Sequence, residues 1–269
     1  MKAPQFAYAR PRTLEEALAL LERPGAKILA GGQSLIPSLN MRLSAPELLV
    51  DIGAISSLGG IDVKGSAVRI GALTTHAQIE KSDRVRRHVP MLASAAAQIA
   101  HPAIRNRGTL GGSLALADPA AEYPACALAL DATLVIQGKK GERRTKAPDF
   151  FKGLFETDLK PDEILVAAEF PTGGESSFHE LARRQGDYAS VGLAAHRLDS
   201  EIRLAFFGVG AKPILAKHAA AEAKKSIAAA QQALAKDLDP PADLYHSGAA
   251  KLHLSRVLLG RAFAQWNMK

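Results

Sequence analysis

The sequence predicts an α+β fold of two domains, with a boundary close to residue 175. Three strand-like segments followed by two helical segments occupy the region after residue 178, an order typical of an α+β domain. A polar run rich in chain breakers, residues 171–177, separates this region from the preceding part of the chain. With 269 residues, of which 47% are hydrophobic, the chain is long enough for one large domain or two modest ones.

The N-terminal part begins with a helix and continues as short strands and helices. Thr13-Leu14-Glu15-Glu16 has the pattern of a capping box and precedes an apolar stripe with helical spacing. Residues 27–30 predict a buried strand that leads directly into a glycine turn. Further strands are expected at residues 47–55, 67–74, 131–137 and 163–170. Further helices are expected at residues 90–100 and from residue 76, where Thr75-His76-Ala77-Gln78 has the pattern of a second capping box.

The C-terminal part is expected to form a three-stranded antiparallel sheet accompanied by helices. The strands are predicted at residues 179–184, 190–197 and 202–208. Two long helices are predicted at residues 215–236 and 242–264, joined around Asp239-Pro240-Pro241.

Composition and charge exclude several classes of protein. Cys126 is the only cysteine, so this chain alone forms no disulfide, no four-cysteine iron–sulfur site and no Cys₂His₂ zinc site. No apolar run is long enough for a signal peptide or a membrane span, and a cytoplasmic location is therefore expected. The net charge of +7 is spread over small basic groups and aromatic residues make up only 5%, which disfavours a nucleic-acid-binding surface.

Two glycine turns are the candidate binding elements. Ala30-Gly31-Gly32-Gln33-Ser34-Leu35 follows a predicted strand, and Gly108-Thr109-Leu110-Gly111-Gly112-Ser113 lies further along the chain. Three glycines in five residues predict an irregular segment rather than a helix at the second turn. Each turn offers consecutive backbone N–H groups to an anion, and the hydroxyls of Ser34, Thr109 and Ser113 add further donors. Two such turns that face each other suit a pyrophosphate.

Other nucleotide-binding and catalytic motifs are absent from the sequence. Gly208 and Gly210 begin a GxGxxG pattern, but Pro213 stands at the third glycine position, and there is no P-loop. There is also no GxSxG elbow and no HExxH or similar grouping of metal ligands. The sequence therefore predicts a ligand-binding site with no catalytic residue and no metal site.

Both glycine turns lie in longer motifs that resemble one protein family. Residues 30–37 and 101–114 resemble the two FAD-pyrophosphate loops of the medium subunits of carbon monoxide dehydrogenases and related molybdenum hydroxylases. The resemblance covers nearly the whole chain, with its motifs in order. It continues through residues 118–125, 149–153, 162–165, 182–189, 237–244 and 256–259.

The resemblance implies both a fold and a function. Residues 1–175 would form a two-subdomain FAD-binding domain of the PCMH type, similar to vanillyl-alcohol oxidase, and residues 176–269 a smaller α+β domain. The chain would hold FAD and carry electrons from the [2Fe–2S] clusters of a small partner subunit to an external acceptor. A large partner subunit with a molybdopterin cofactor would oxidise the substrate, and two such heterotrimers would associate as a dimer.

The same resemblance implies which residues bind the cofactor. The first loop would wrap the pyrophosphate and ribitol of FAD through Ile28, Leu29, Ala30, Gly31, Gly32, Gln33, Ser34 and Leu35. The second motif would close on the same phosphates through His101, Thr109, Gly111, Gly112 and Ser113. Ile99 would pack near the adenine, and Glu122 would bind the polar chain of the cofactor. Leu165, His179 and Tyr188 would lie near the flavin ring.

Two positions depart from one branch of the family. His179 and Ser190 stand where xanthine dehydrogenases carry lysines, one of them beside the flavin. These departures favour the carbon monoxide dehydrogenase-like branch over direct reduction of NAD. The helix at 215–236 and the basic groups around Arg84 and Arg105 are the expected docking surfaces for partner subunits.

Two other functions remain open from the sequence. A free-standing FAD-dependent oxidase or reductase would carry an acid or base over the flavin and reduce its own flavin with a small substrate. A basic binding module that had lost its cofactor would be colourless when pure. If the chain binds FAD, valine at Gly32 or at Gly111 is expected to abolish flavin binding while the chain still folds.

Overall fold

A computed structural model describes residues 2–268 of the protein, and its first part is a small parallel sheet. The sheet has the strand order β1-β3-β2, and both strand pairs are parallel. Thr13 caps the first helix as predicted, since its side chain accepts a hydrogen bond from the backbone N–H of Glu16 at 3.2 Å. The elements are β1 (Ala7–Ala9), α1 (Leu14–Leu21), β2 (Ala26–Leu29), α2 (Leu35–Asn40) and β3 (Leu48–Asp51).

The next part combines a five-stranded antiparallel sheet, ordered β4-β5-β10-β6-β7, with a group of short helices. Thr75 opens the third helix with both bonds of a capping box, which confirms that sequence prediction. The elements are β4 (Ile61–Lys64), β5 (Ala67–Gly71), α3 (His76–Lys81), α4 (Asp83–His88), α5 (Pro90–Gln98), α6 (Pro102–Arg105), α7 (Leu110–Leu116), α8 (Glu122–Ala129), β6 (Thr133–Gly138), β7 (Gly141–Lys146), α9 (Ala147–Phe150), β8 (Phe151–Gly153), β9 (Glu156–Thr157) and β10 (Ile164–Pro171).

The last part is a four-stranded antiparallel sheet, ordered β11-β12-β13-β14, with three helices. The α+β class is confirmed, but the prediction of three strands was one strand short, because the two-residue strand β14 pairs with β13. The elements are β11 (Glu175–Leu181), β12 (Val191–Leu198), β13 (Glu201–Phe207), β14 (Ile214–Leu215), α10 (Lys217–Glu222), α11 (Ile227–Asp237) and α12 (Gly248–Gln265).

The predicted helix at 215–236 is wrong. The segment holds the end of β14 and two helices, and Ser226 starts the second of them by accepting a hydrogen bond from the N–H of Ala229 at 3.1 Å. The predicted helix at 242–264 begins later, at Gly248, where Ser247 supplies the cap. Ser226 thus starts a second helix inside a pattern that hydrophobicity alone would have continued, and Ser247 delays the start of the last helix.

The glycine run at 108–113 is also not irregular as predicted. Leu110–Leu116 forms α7, in which Thr109 caps the N-terminus by accepting a hydrogen bond from the N–H of Gly112 at 3.1 Å. Burial of Leu110 and Leu114 offsets the low helix propensity of the two glycines.

One buried apolar cluster connects the two halves of the molecule. It includes Ile70 of β5, Leu92 of α5, Tyr123 of α8 and Phe207 of β13, all fully buried. The C-terminal sheet therefore packs on the helices of the preceding part, and residues from both parts approach one cavity. Among residues 2–268, no helix is both long and apolar enough to cross a membrane.

Candidate functional site: a cofactor cavity between two loops

A cavity of about 790 Å³ lies where all parts of the chain meet. Its size suits a cofactor or a similar small ligand. It is lined by the first glycine loop, the segment that leads to α7, the start of α8, the region between β8 and β10, and residues 186–188. Most of the residues predicted to bind the cofactor line it, namely Ile28, Ala30, Gly31, Gly32, Gln33, Ser34, Leu35, Ile99, His101, Thr109, Gly111, Gly112, Ser113, Glu122, Leu165 and Tyr188.

Leu29 and His179 do not line the cavity. Leu29 lies behind the first loop, where its side chain comes within 3.3 Å of the position that a Cβ on Gly32 would take. His179 shares a face of β11 with Leu181, and this face packs on the C-terminal helices; burial and the charge of Arg261 on α12 lower the pKa of its imidazole. Strand alternation therefore directs His179 away from the cavity.

The two glycine loops are in direct contact. A Cβ on Gly31 would overlap the carbonyl oxygen of Arg107 and lie 2.9 Å from the Cα of Gly108. The structure thus brings together the two motifs that the sequence singled out, although many residues separate them in the chain. Only glycine at position 31 permits this approach without a shift of the backbone.

The first loop has free backbone donors. In the described part of the chain, the N–H groups of Gly32, Gln33, Ser34 and Leu35 form no hydrogen bond with a protein group. Gly32 has φ +73°, and the side-chain amide of Gln33 donates to the carbonyl oxygen of Gly31 at 3.0 Å, which fixes the turn. Successive unpaired N–H groups in this conformation form an anion-binding nest. The Ser34 hydroxyl is not used as a helix cap and adds a further donor.

Most backbone N–H groups of the second loop form hydrogen bonds within the protein. The N–H groups of Leu110 and Gly111 donate to the carbonyl oxygens of Thr74 and Ala72, at 3.0 and 2.8 Å. The N–H of Gly112 donates to the hydroxyl oxygen of Thr109, which caps the helix. The symmetric picture of two equal nests is wrong, because the first loop offers backbone N–H groups and the second has few left to offer.

Gly111 is needed for packing rather than for access to a phosphate. A Cβ there would lie 2.8 Å from the Cα of Ala72 and would overlap its Cβ. The structure therefore argues against the expectation that valine at position 111 leaves a folded chain, since its side chain has no space between α7 and the end of β5.

Aliphatic and aromatic side chains form the remaining walls. Ile99 and Leu165 are buried, at 8% and 4% exposure, and offer apolar surface to a ring system. Tyr188 lines the same cavity but is 75% exposed, so its ring has no large protein surface against it. A planar ligand could stack on this tyrosine at little cost in displaced protein contacts.

Two half-buried carboxyl groups lie close together at this site, since Glu122 lines the cavity and Glu180 is near enough to affect the charge state of Glu122. Burial, with smaller effects from Glu180 and Asp118, raises the pKa of Glu122 to about 8. Burial also raises the pKa of Glu180 to about 7. At neutral pH Glu122 therefore holds a proton, which removes a negative charge from the wall of a site for a diphosphate. Glu180 was missed in the sequence, although its alternation with His179 on β11 was the signal that could have identified it.

His76 was also missed. The capping box at Thr75 predicted that a helix begins there, but nothing in the local pattern placed His76 beside the second loop. The backbone bridge between Thr75 and Thr109 brings it there, and it lines the cavity with only 6% exposure.

The basic groups expected to dock a partner are only partly available. Arg105 is 13% exposed and donates to Glu80 at 2.9 Å and to the carbonyl oxygens of Ile99 and Ala100. Its contacts hold the segment that leads into the second loop, so Arg105 itself offers little surface to a partner, whereas Arg107 of the same basic group is exposed. Arg84 donates to the carbonyl oxygen of Ile61 at 2.7 Å.

Comparison with known families agrees with this architecture. Residues 4–173 match the family described as FAD binding domain in molybdopterin dehydrogenase. Residues 176–266 match the CO dehydrogenase flavoprotein C-terminal domain. Together the two matches span almost the whole chain.

Individual relatives are similar over their full length. The 6-hydroxypseudooxynicotine dehydrogenase complex subunit alpha of Paenarthrobacter nicotinovorans is 40% identical over 98% of this chain and 95% of its own. The carbon monoxide dehydrogenase medium chain of Hydrogenophaga pseudoflava is 35% identical over 99% of both chains. The crystal structure of quinoline 2-oxidoreductase from Pseudomonas putida 86 superposes with a TM-score of 0.93, at 37% identity and 98% coverage of both chains.

The fold, the cavity and the similarity to known proteins together define the class of this protein, a flavoprotein component of an oxidoreductase. The chain belongs to the family of FAD-binding medium subunits of molybdenum hydroxylases such as carbon monoxide dehydrogenase. The residues present fit FAD, because the nest at Gly32 to Leu35 has unpaired donors for a pyrophosphate and the cavity has apolar walls for two ring systems. When bound, FAD supplies reversible electron transfer, while the protein binds, orients and tunes it.

Proposed function

We propose that this chain is the electron-transferring FAD subunit of a heterotrimeric molybdenum hydroxylase. It accepts electrons from [2Fe–2S] clusters of a partner subunit and passes them to an external acceptor. The observation that carries the proposal is the row of four free N–H donors beside the second loop, within a cavity that holds nearly all of the predicted residues. The nest binds the pyrophosphate, Ile99 packs near the adenine, and Leu165 and Tyr188 lie near the flavin ring.

The proposed partners are a large molybdopterin-binding subunit and a small [2Fe–2S] subunit, assembled as a dimer of heterotrimers. Several relatives are named as medium chains or as subunits of dehydrogenase complexes, which supports an assembly of this kind. The single cysteine, Cys126, is fully buried, so the clusters belong to another chain. Ser190, which stands where xanthine dehydrogenases carry a lysine, favours carbon monoxide dehydrogenase-like chemistry over direct reduction of NAD. His179 no longer supports this choice, because it faces away from the cavity. A cytoplasmic location stays a prediction.

We further propose that the FAD-binding domain comprises residues 1–175 and the C-terminal domain residues 176–269. The two family matches, which end at residue 173 and begin at residue 176, support this division. The shared core cluster implies that the two domains are packed firmly together.

Co-expression with the small and large subunits tests the assembly. The expected result is co-elution of all three chains in size-exclusion chromatography at moderate salt, with one FAD for each copy of this chain. The matched control is Gly32→Val, which places a branched side chain at the φ +73° position of the nest and changes no other residue that a partner could contact. It should co-elute without flavin. Elution of the FAD-loaded chain apart from a complex of its two partners would contradict the subunit role and favour a free-standing flavoprotein.

A further inference from the structure

His76 occupies a fixed position above the second glycine loop. Its backbone N–H donates to the carbonyl oxygen of Gly108 at 3.0 Å. Its ring lies against the fully buried ring of Tyr123, with 5.3 Å between centroids. A Cβ on Gly108 would lie 2.5 Å from the Nε2 atom of His76, so Nε2 lies directly over this glycine. Both residues line the cavity.

The two ring nitrogens of His76 have different surroundings. Nδ1 is fully buried and has no hydrogen-bond partner among the described residues. A buried N–H without an acceptor is costly, by about 1–3 kcal/mol. Burial, with the nearby charge of Arg105, lowers the pKa of this imidazole to about 4, so the ring is neutral and carries a single proton. That proton is therefore best placed on Nε2, beside Gly108.

The second loop needs a side-chain donor. The N–H groups of residues 110–113 are all bonded within the protein, to Thr74, Ala72 and Thr109. A phosphate held between the two loops thus meets free N–H groups on the first loop and few on the second. His76 is placed to supply the missing donor.

We propose that His76 is a cofactor-binding residue whose neutral ring donates its Nε2–H to a pyrophosphate oxygen of FAD at Gly108. This proposal rests on the placement of the pyrophosphate between the two loops. The absence of a side chain at position 108 is part of the arrangement, because an alanine there would displace the imidazole.

Binding of cofactor fragments to the full chain tests the proposal. His76→Ala should weaken the binding of FAD and of ADP by about ten- to a hundredfold, which is the effect of losing one hydrogen bond to a charged group. Riboflavin, which lacks the pyrophosphate, should be unaffected. His76→Gln, with an amide donor, should recover part of the affinity. Equal loss for riboflavin would show a merely structural role, and unchanged FAD and ADP affinity would also overturn the proposal.

Gly108→Ala gives a second, independent test. It should weaken FAD binding by the otherwise wild-type protein but have little further effect in the His76→Ala background. The two shortest contacts of the added Cβ, at 2.5 and 2.7 Å, are with the imidazole, and the next is the carbonyl oxygen of Ile104 at 3.2 Å. Additive effects would contradict the arrangement.

Nitrogen NMR of histidine-labelled wild-type protein covers the case in which the variants fail to fold. A protonated Nε2 whose signal shifts on addition of FAD is expected, and a protonated Nδ1 would overturn the proposal. Failure of the wild-type chain to bind FAD at all would count against the cofactor site as a whole, not against His76 alone.

Discussion

The carbonyl oxygen of Arg107 occupies the space that a side chain on Gly31 would need. Even the carbonyl carbon of Arg107 would lie only 2.8 Å from a Cβ at that position. This contact joins the first loop, which has free N–H donors, to the segment that leads into α7. The cofactor cavity therefore depends on one close approach between two backbones.

Gly31→Ala is expected to separate the two loops and to weaken FAD binding by at least about tenfold, the effect of losing about one hydrogen bond to a charged group. Equilibrium titration with FAD measures the effect. Gly59→Ala is the matched control, since its Cβ meets only the carbonyl oxygen of Ser56 at an ordinary 3.6 Å. Wild-type affinity in Gly31→Ala would show that the contact between the loops does not shape the site.

Valine at the two other loop glycines should have different effects. At Gly32 it must adopt φ +73°, at a cost of about 1–3 kcal/mol, so flavin is lost while a folded chain remains. At Gly111 valine overlaps Ala72, and the expected result is a loss of about 1–3 kcal/mol of stability or more, with poor expression. Circular dichroism and thermal unfolding of both variants distinguish these outcomes. A stable, flavin-free Gly111→Val chain would contradict the packing role of Gly111 and indicate that this glycine takes a direct part in phosphate binding.

Some helices could be predicted from neighbouring residues in the sequence, and others could not. The caps at Thr13 and Thr75 depend on neighbouring residues, so the sequence alone identified them. The helix that contains Gly111 and Gly112 brings Gly111 against Ala72, just after β5, and no local pattern reveals this tertiary contact. The break between α10 and α11 was missed because hydrophobic periodicity continues through it.

The pKa of Glu122 predicts a pH dependence of stability. Burial raises this pKa from the ordinary value of 4.5 to about 8. Between these values the unfolded chain has released the proton and the folded chain still holds it, so stability falls as pH rises through the window. Below 4.5 both states are protonated and this contribution to the pH dependence is absent.

Glu122→Gln should therefore be more stable than wild type near pH 8 and similar near pH 4.5, in flavin-free protein. Each kcal/mol of relieved ionisation corresponds to about 2–4 °C in Tm for a chain of roughly this size. Thermal unfolding at the two pH values measures the difference. The same Tm difference at both would show that Glu122 ionises normally in the folded state.

Tyr188→Ala should leave the unliganded chain almost unchanged in stability, because the side chain is 75% exposed. FAD affinity should fall by a few-fold to about tenfold, since aromatic stacking contributes about 0.5–1.5 kcal/mol. Tyr188→Phe, which keeps the ring, should bind like wild type. Equal losses in both variants would assign the effect to the hydroxyl instead of the ring.

The candidate site, like the fold, was only partly predictable from the sequence. Contiguous motifs such as Ala30 to Leu35 are visible in the sequence because their chemistry lies in consecutive residues. Which face of β11 packs on the shared core is decided by tertiary packing, and Phe178, which contacts this core, sets the direction of its neighbours. This is why His179 was expected at the flavin, although the structure turns it toward α12 and places Glu180 on the other face.

Rapid mixing of the assembled complex tests the central claim most directly. The iron–sulfur clusters are reduced in the presence of the partner subunits, and cluster and flavin absorbance are followed separately. Flavin reduction is expected after cluster reduction, followed by transfer to an added acceptor. In the complex with the flavin-free Gly32→Val chain, the clusters should be reduced but the acceptor should not. Flavin that stays oxidised while the wild-type complex still reduces the acceptor would contradict the account.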